Sequence, residues 1–105
     1  MKIFAISILA ASLLPASAMA GAAEGKAVFD KTCKSCHGAD GKGNPAIAKM
    51  MKVTIRALGS KEVQAKSDAD LKKDITQGNG KMKPVAGLSA AQVSDIIAHV
   101  RTLKE

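Results

Sequence analysis

The chain has 105 residues, and its 16 Lys and Arg outweigh 9 Asp and Glu to give a formal net charge of +7. Such a length supports one small domain with a thin core. A basic chain could bind nucleic acid, but this one has no Trp or Tyr and only two Phe, so it lacks the aromatic side chains on which bases stack. A domain with so little aromatic mass needs a disulfide, a metal or a large apolar cofactor to stay folded.

The first twenty residues are typical of an export signal. Lys2 supplies a positive start, residues 3–14 form an apolar run, and Ala18-Met19-Ala20 has the small-x-small form that signal peptidase cuts. The run is shorter than the roughly 20 residues that a membrane-spanning helix needs. We therefore expect residues 1–20 to be removed and residues 21–105 to form one exported, periplasmic domain that does not span the membrane. Loss of Lys2 lowers the formal net charge from +7 to +6.

The first half of this domain is predicted to contain two helices. One runs from about Ala23 to Thr32, and Gly25 inside it indicates a close approach by another backbone. After a loop rich in turn residues, a short helix runs from about Pro45 to Met51, with proline at its first position. Residues 52–67 are predicted to be mostly loop with one helical turn.

Two later helices have clearer boundaries. Ser67 and Asp70 approximate a capping box at the start of one helix, and Gly78 ends it. Ser89 caps the last helix, and Gln92 completes its capping box. On the last helix the apolar residues recur at steps of three and four, which predicts one buried face made of Val93, Ile96, Ile97, Val100 and Leu103. No alternating strand pattern persists, so the fold class is predicted to be all-α.

The stretch TCKSCHGADGKG, residues 32–43, contains the only two cysteines of the chain. A disulfide between Cys33 and Cys36 would close too small a loop to stabilise much, and a redox dithiol normally accompanies a βαβ pattern. A structural zinc site usually has four ligands, and the only cysteine or histidine outside this motif is His99. The C-x-x-C-H spacing instead indicates covalent haem attachment. Each thiol can form a thioether with a porphyrin vinyl group, and His37 then ligates the iron as the proximal ligand.

The stretches GKAVFDKTCKSCHGADGKG and GNGKMKPVAGLSAAQVSDIIAHVRTLK closely resemble small bacterial class I c-type cytochromes, and the resemblance covers residues 25–104. It implies a cytochrome c-like fold, with three to five helices and long loops around one covalent haem c. It also implies that the first and last helices cross at Gly25 and Phe29. That family usually has an aromatic residue on the last helix near the crossing, where this sequence has His99.

Met82 is the expected second axial ligand. It lies in the loop sequence GNGKMKPV, where no helical register dictates burial, and it matches the distal methionine of the family. His/Met ligation is a standard arrangement in cytochromes c. Met50 and Met51 lie on a predicted helix and are expected to fill the core. Ligation by His99 is the bis-histidine alternative.

The resemblance also suggests a role for Pro45. The matching proline of the family accepts, through its backbone carbonyl, a hydrogen bond from Nδ1 of the proximal histidine, here His37. Such a bond orients the imidazole and raises its basicity. A second interpretation remains open, that Pro45 only begins a helix.

Two axial ligands leave no open position on the iron, so we expect a one-electron carrier rather than an enzyme. The alternatives are a haem with an open iron site that acts as a gas sensor or peroxidase, and a docked subunit of a larger oxidoreductase. Lys34, Lys81 and Lys83 are expected to dock a redox partner that has an acidic surface, although a dispersed basic surface is the other interpretation. The domain is expected to be a monomer that does not bind nucleic acid.

Overall fold

The computed structural model describes residues 21–105, so the predicted export signal lies outside the described residues. Six helices and no strand occur in this range, which confirms the all-α prediction; two of the helices are single turns of four residues. None of the helices in this range is long and apolar enough to cross a membrane. In chain order the helices are α1 (Ala22–Thr32), α2 (Lys34–His37), α3 (Pro45–Met51), α4 (Lys61–Gln64), α5 (Asp68–Gln77) and α6 (Ala90–Thr102).

The helix starts follow from local capping. Ser67 accepts a hydrogen bond from a backbone amide in the first turn of α5, and both hydrogen bonds of the capping box between Ser89 and Gln92 are formed at α6. Ser60 caps α4 in the same way, and α4 is the single turn predicted within residues 52–67. Each cap satisfies an amide that has no partner inside its helix.

The first and last helices pack against each other. At their crossing, a Cβ built on Gly25 would lie 1.8 Å from the carbonyl oxygen of Asp95. Only glycine permits this approach, as its position in the sequence predicts. The backbone amide of Gly21 adds a hydrogen bond of 2.8 Å to Oδ1 of the same Asp95.

The core is built around this crossing, and α5 adds the rest of it. Phe29 and Ile96 are each 1% exposed, and the buried apolar residues within the described range are Phe29, Leu71, Ile75, Val93, Ile96, Ile97 and Val100. Four of the five residues predicted for the apolar face of α6 are in this set. The fifth, Leu103, is half-buried because it follows the end of the helix.

His99 is the only buried polar side chain among residues 21–105 and is 5% exposed. Its ring meets that of Phe29 edge-on, with 5.0 Å between the centroids and 62° between the planes. The imidazole thus packs where the resemblance leads us to expect an aromatic residue. The edge-on arrangement is one that aromatic pairs favour.

Two side chains attach the irregular middle segment to α6. Nε2 of Gln64 donates to the carbonyl oxygen of Val100 at 3.0 Å. Arg101 donates to the carbonyl oxygens of Gln64 and Lys66 at 2.9 and 2.7 Å, and to Oδ1 of Asp68 at 2.7 Å. The bonds of Arg101 satisfy the carbonyl oxygens of Gln64, at the end of α4, and of Lys66, which follows that helix.

Candidate haem site

In sequence, the two cysteines and the histidine come directly after α1, the helix that packs against α6. Cys33 lies between α1 and α2 and donates its amide to the carbonyl oxygen of Phe29 at 2.8 Å. Cys36 and His37 belong to α2, and the amide of His37 donates to the carbonyl oxygen of Cys33 at 3.0 Å. Both cysteines are free and half-buried. Within residues 21–105, no cluster of His, Cys, Asp and Glu could hold a metal ion by itself.

Burial is the main influence on the pKa values of His37 and Cys33. Burial lowers the pKa of His37, which keeps the imidazole in the neutral form that binds metals. Burial also raises the pKa of the Cys33 thiol; the Thr32 hydroxyl opposes this shift and Cys36 adds to it. The donor set is therefore two free thiols one turn apart, followed by a neutral imidazole, which fits a haem of the c type.

Asn44 holds α2 against the start of α3. Its Nδ2 donates to the carbonyl oxygen of Ser35 at 3.1 Å, and its backbone amide donates to that of Cys36 at 2.9 Å. Its Oδ1 caps α3, while the amide of Gly43 donates to the carbonyl oxygen of His37 at 2.7 Å. Asn44 was missed in the sequence analysis. An asparagine directly before a proline is a capping signal, but nothing local indicates its bond to Ser35.

Pro45 does not make the expected contact with His37. Nδ1 of His37 is buried and has no hydrogen-bond partner among the described residues, so the bond to the carbonyl oxygen of Pro45 is not formed. Pro45 is the first residue of α3, where its fixed φ and its lack of an amide hydrogen suit a helix start. The hydrogen bonds between this segment and α2 come instead from Gly43 and Asn44.

Met82 lies in the loop between α5 and α6 and is half-buried. Its backbone forms an isolated antiparallel bridge with Asn79, in which each amide donates to the other residue's carbonyl oxygen at 2.9 Å. Gly80 has a φ of +57° within this turn, a conformation that glycine adopts without strain. The loop is joined to α5 by the amide of Val85, which donates to the carbonyl oxygen of Ile75 at 2.8 Å.

The other ligand candidates lie in different settings. Met50 is 71% exposed, so the prediction that it fills the core is wrong. The helix that carries it, α3, has only seven residues and contributes none to the buried set. Met51 is half-buried. His99 packs in the core against Phe29, which favours a packing role over iron ligation.

The three lysines named as docking residues are all exposed. Lys34 belongs to α2 itself, and Lys81 and Lys83 are the neighbours of Met82 in sequence. Lys81 is also engaged within the molecule, because its Nζ donates to the carbonyl oxygen of Met51 at 2.8 Å.

Comparisons with known proteins place the chain among haem proteins. The model of the family described as Cytochrome c matches residues 22–104. A curated relative, cytochrome c-554(547) from Halothiobacillus neapolitanus, is 35% identical over an alignment of 88 residues, and the match covers 79% of this chain and 97% of the relative. Among solved structures, the KustC0563 c-type cytochrome has a TM-score of 0.65 and 26% sequence identity, and the match covers 77% of this chain and 98% of that chain.

Proposed function

Since the chain belongs to the cytochrome c family, and is therefore an electron-transfer protein with covalently attached haem c, we propose that Cys33 and Cys36 form the two thioethers. His37 and Met82 are the axial ligands in this proposal. When bound, the haem iron supplies one-electron exchange between its ferric and ferrous states. The residues of the chain hold the haem, set its ligands and exclude water.

The observation that carries the proposal is the arrangement at the end of α1. Two free thiols and a histidine with a lowered pKa follow the buried Phe29 by four to eight residues. The hydrogen bond from Cys33 to Phe29 and the contacts of Asn44 with α2 hold this short segment on both sides. A ligand held in place in this way loses little freedom when it binds the iron.

Met82 is proposed as the second axial ligand because its loop fixes the backbone and leaves the side chain half-buried. A methionine thioether is a soft ligand that raises the reduction potential. Met50 offers the same sulfur, but its side chain is 71% exposed and lies on the short helix α3. The comparison therefore favours Met82 over Met50.

The ligation is tested by visible and near-infrared spectroscopy of the purified holoprotein. The wild-type protein is expected to show the methionine–iron band and to ignore carbon monoxide when reduced. Met82→Ala is expected to lose the band, to have a lower potential and to bind carbon monoxide. Met50→Ala is the matched control and should keep the band. A wild-type protein that binds carbon monoxide would support the open-site alternative, a gas sensor or peroxidase.

The location and the partners complete the proposal. Residues 21–105 act in the periplasm as a monomer after removal of residues 1–20. The partner has an acidic surface and approaches the exposed Lys34, Lys81 and Lys83. Opposite charges speed the encounter while leaving the complex weak, which suits a carrier that must dock, exchange one electron and leave.

A further inference from the structure

A single lysine joins the loop of Met82 to α3. Nζ of Lys81 donates to the carbonyl oxygen of Met51 at 2.8 Å, across 30 residues of sequence. Met51 is the last residue of α3, so its carbonyl is among those that have no partner within the helix. The negative end of the helix dipole also lies there. The ammonium group of Lys81 therefore meets a backbone group that favours a positive charge.

The opposite side of the same loop is fixed independently of Lys81. Nδ2 of Asn79 donates to Oδ1 of Asp74 on α5 at 3.3 Å, and Asp74 also pairs with Lys66. Together with the bridge to Met82, this contact fixes the turn relative to α5. On the α3 side, the bond of Lys81 is the only hydrogen bond that the loop makes to that helix within the described residues.

The helix α3 is in turn attached to the haem-binding motif. Asn44 caps α3 and bonds to the backbone of Ser35 and Cys36 in α2. Lys81, the neighbour of Met82, is therefore connected to the segment that carries His37. The connection runs through its bond to Met51, through α3 and through the bonds of Asn44. The two proposed axial ligands are linked through the protein by Lys81.

We propose that Lys81 is a positioning residue for the axial bond of Met82. Its ammonium group, bonded to the carbonyl oxygen of Met51, holds the loop against α3 and so stabilises the bond between the Met82 sulfur and the haem iron. This inference rests on the ligation proposed above. It gives Lys81 a role inside the molecule, in addition to its charge.

Lys83 provides a matched control. It carries the same charge, is exposed and lies on the other side of Met82 in sequence. It forms no hydrogen bond or ion pair with another residue of the described range. Lys83→Leu therefore repeats the change of charge made by Lys81→Leu without removing a bond, and neither variant adds a sulfur that could bind iron.

The test measures how easily neutral imidazole displaces Met82 from ferric iron in the holoprotein, followed by the loss of the methionine–iron band. Lys81→Leu is expected to lower the dissociation constant of imidazole by about 3- to 10-fold, the range for loss of one hydrogen bond. Lys83→Leu is expected to change it by less than about 2-fold. Lys81→Arg retains a donor and should lie closer to the wild-type protein than Lys81→Leu does.

Equal changes in Lys81→Leu and Lys83→Leu would overturn the proposal, because they would show an effect of charge alone. A dissociation constant of imidazole as low in Lys81→Arg as in Lys81→Leu would also contradict the role of the hydrogen bond. A wild-type protein without the methionine–iron band would instead contradict the ligation itself. The two hypotheses therefore fail in different measurements.

Discussion

Gly25 and Asp95 are in contact through their backbones: a methyl group on Cα of Gly25 would lie 1.8 Å from the carbonyl oxygen of Asp95 and 2.3 Å from its carbonyl carbon. No side-chain rotation can relieve such a contact. Phe29 follows Gly25 by one turn on the same face of α1, and Cys33 follows Phe29 by another. The close contact of α1 with α6 at Gly25 therefore fixes the position of the haem-binding segment relative to α6.

Gly25→Ala is expected to destabilise the protein by about 3 kcal/mol, because the added methyl group forces α1 and α6 apart. Urea unfolding of the holoprotein, followed by far-ultraviolet circular dichroism, measures the change. Ala27→Gly is the control at an exposed position of the same helix. It should cost about 1 kcal/mol or less, because only helix propensity changes. An alanine at residue 25 that stabilises the protein, as propensity alone would dictate, contradicts the close crossing.

Acid is expected to destabilise the fold through His99. Burial lowers the pKa of His99, the positive charge of Lys26 lowers it further, and Asp30 opposes the shift. The unfolded chain, in which a histidine titrates near pH 6.5, therefore binds the proton more readily than the folded protein. The neutral imidazole makes its full contribution to the free energy of unfolding above about pH 6.5. This contribution is lost as the pH falls toward the lowered pKa of the folded state.

The measurement is the free energy of unfolding of the holoprotein between about pH 7.5 and pH 5, compared with that of His99→Phe. The variant keeps an aromatic ring against Phe29 but carries no titrating group, so its stability should fall less with acid. The comparison uses the difference between the two pH profiles, which removes the contribution of groups common to both proteins. Parallel profiles would show that His99 does not control the acid response.

Maturation gives a prediction about mass. Protein from the periplasmic fraction should have the mass of residues 21–105 plus one haem, and the haem should resist extraction with acidified acetone. Cys33→Ala and Cys36→Ala each remove one proposed thioether, and the double variant should release all of its haem on extraction. A wild-type protein whose haem is extracted by acidified acetone contradicts covalent attachment at this motif.

Docking gives a prediction about rate. Electron transfer to an acidic redox partner should slow steeply as salt is added, because exposed charges are screened within about 10 Å at 0.1 M ionic strength. Replacing Lys34 and Lys83 together by Glu should slow the reaction at low salt more than replacing Lys61 and Lys72, which are exposed on α4 and α5. Both double variants change the net charge equally. Equal slowing would indicate a diffuse effect of charge with no docking site near the haem.

Much of the fold could be predicted because its determinants are local. Ser67 and Ser89 cap their helices through residues three positions away, and the apolar residues of α6 follow the helical period. Gly25 indicated a close backbone contact, although the sequence alone could not show that Asp95 supplies it. The haem-attachment motif is equally local, because Cys33, Cys36 and His37 lie within five consecutive positions.

The remainder depends on contacts between residues distant in sequence. Arg101 donates to the carbonyl oxygens of Gln64 and Lys66, which are more than 30 residues away in sequence. Neither segment carries a sequence pattern that indicates the other. Met50 illustrates the same limit, because apolar character predicted burial while the shortness of α3 left its side chain exposed. The bond between Lys81 and Met51 likewise requires the loop and the helix end to be brought together first.

The packing of the first helix on the last has a consequence for the order of events in biosynthesis. The chain grows from its amino terminus, so α1 and the segment with Cys33 and Cys36 are made before the residues of α6 exist. Until α6 is complete, Phe29 lacks the partners that bury it, and the two thiols lie on a segment without its main long-range support. The core can therefore close only after α6 has been made, and until then the crossing does not hold the segment that carries the two cysteines.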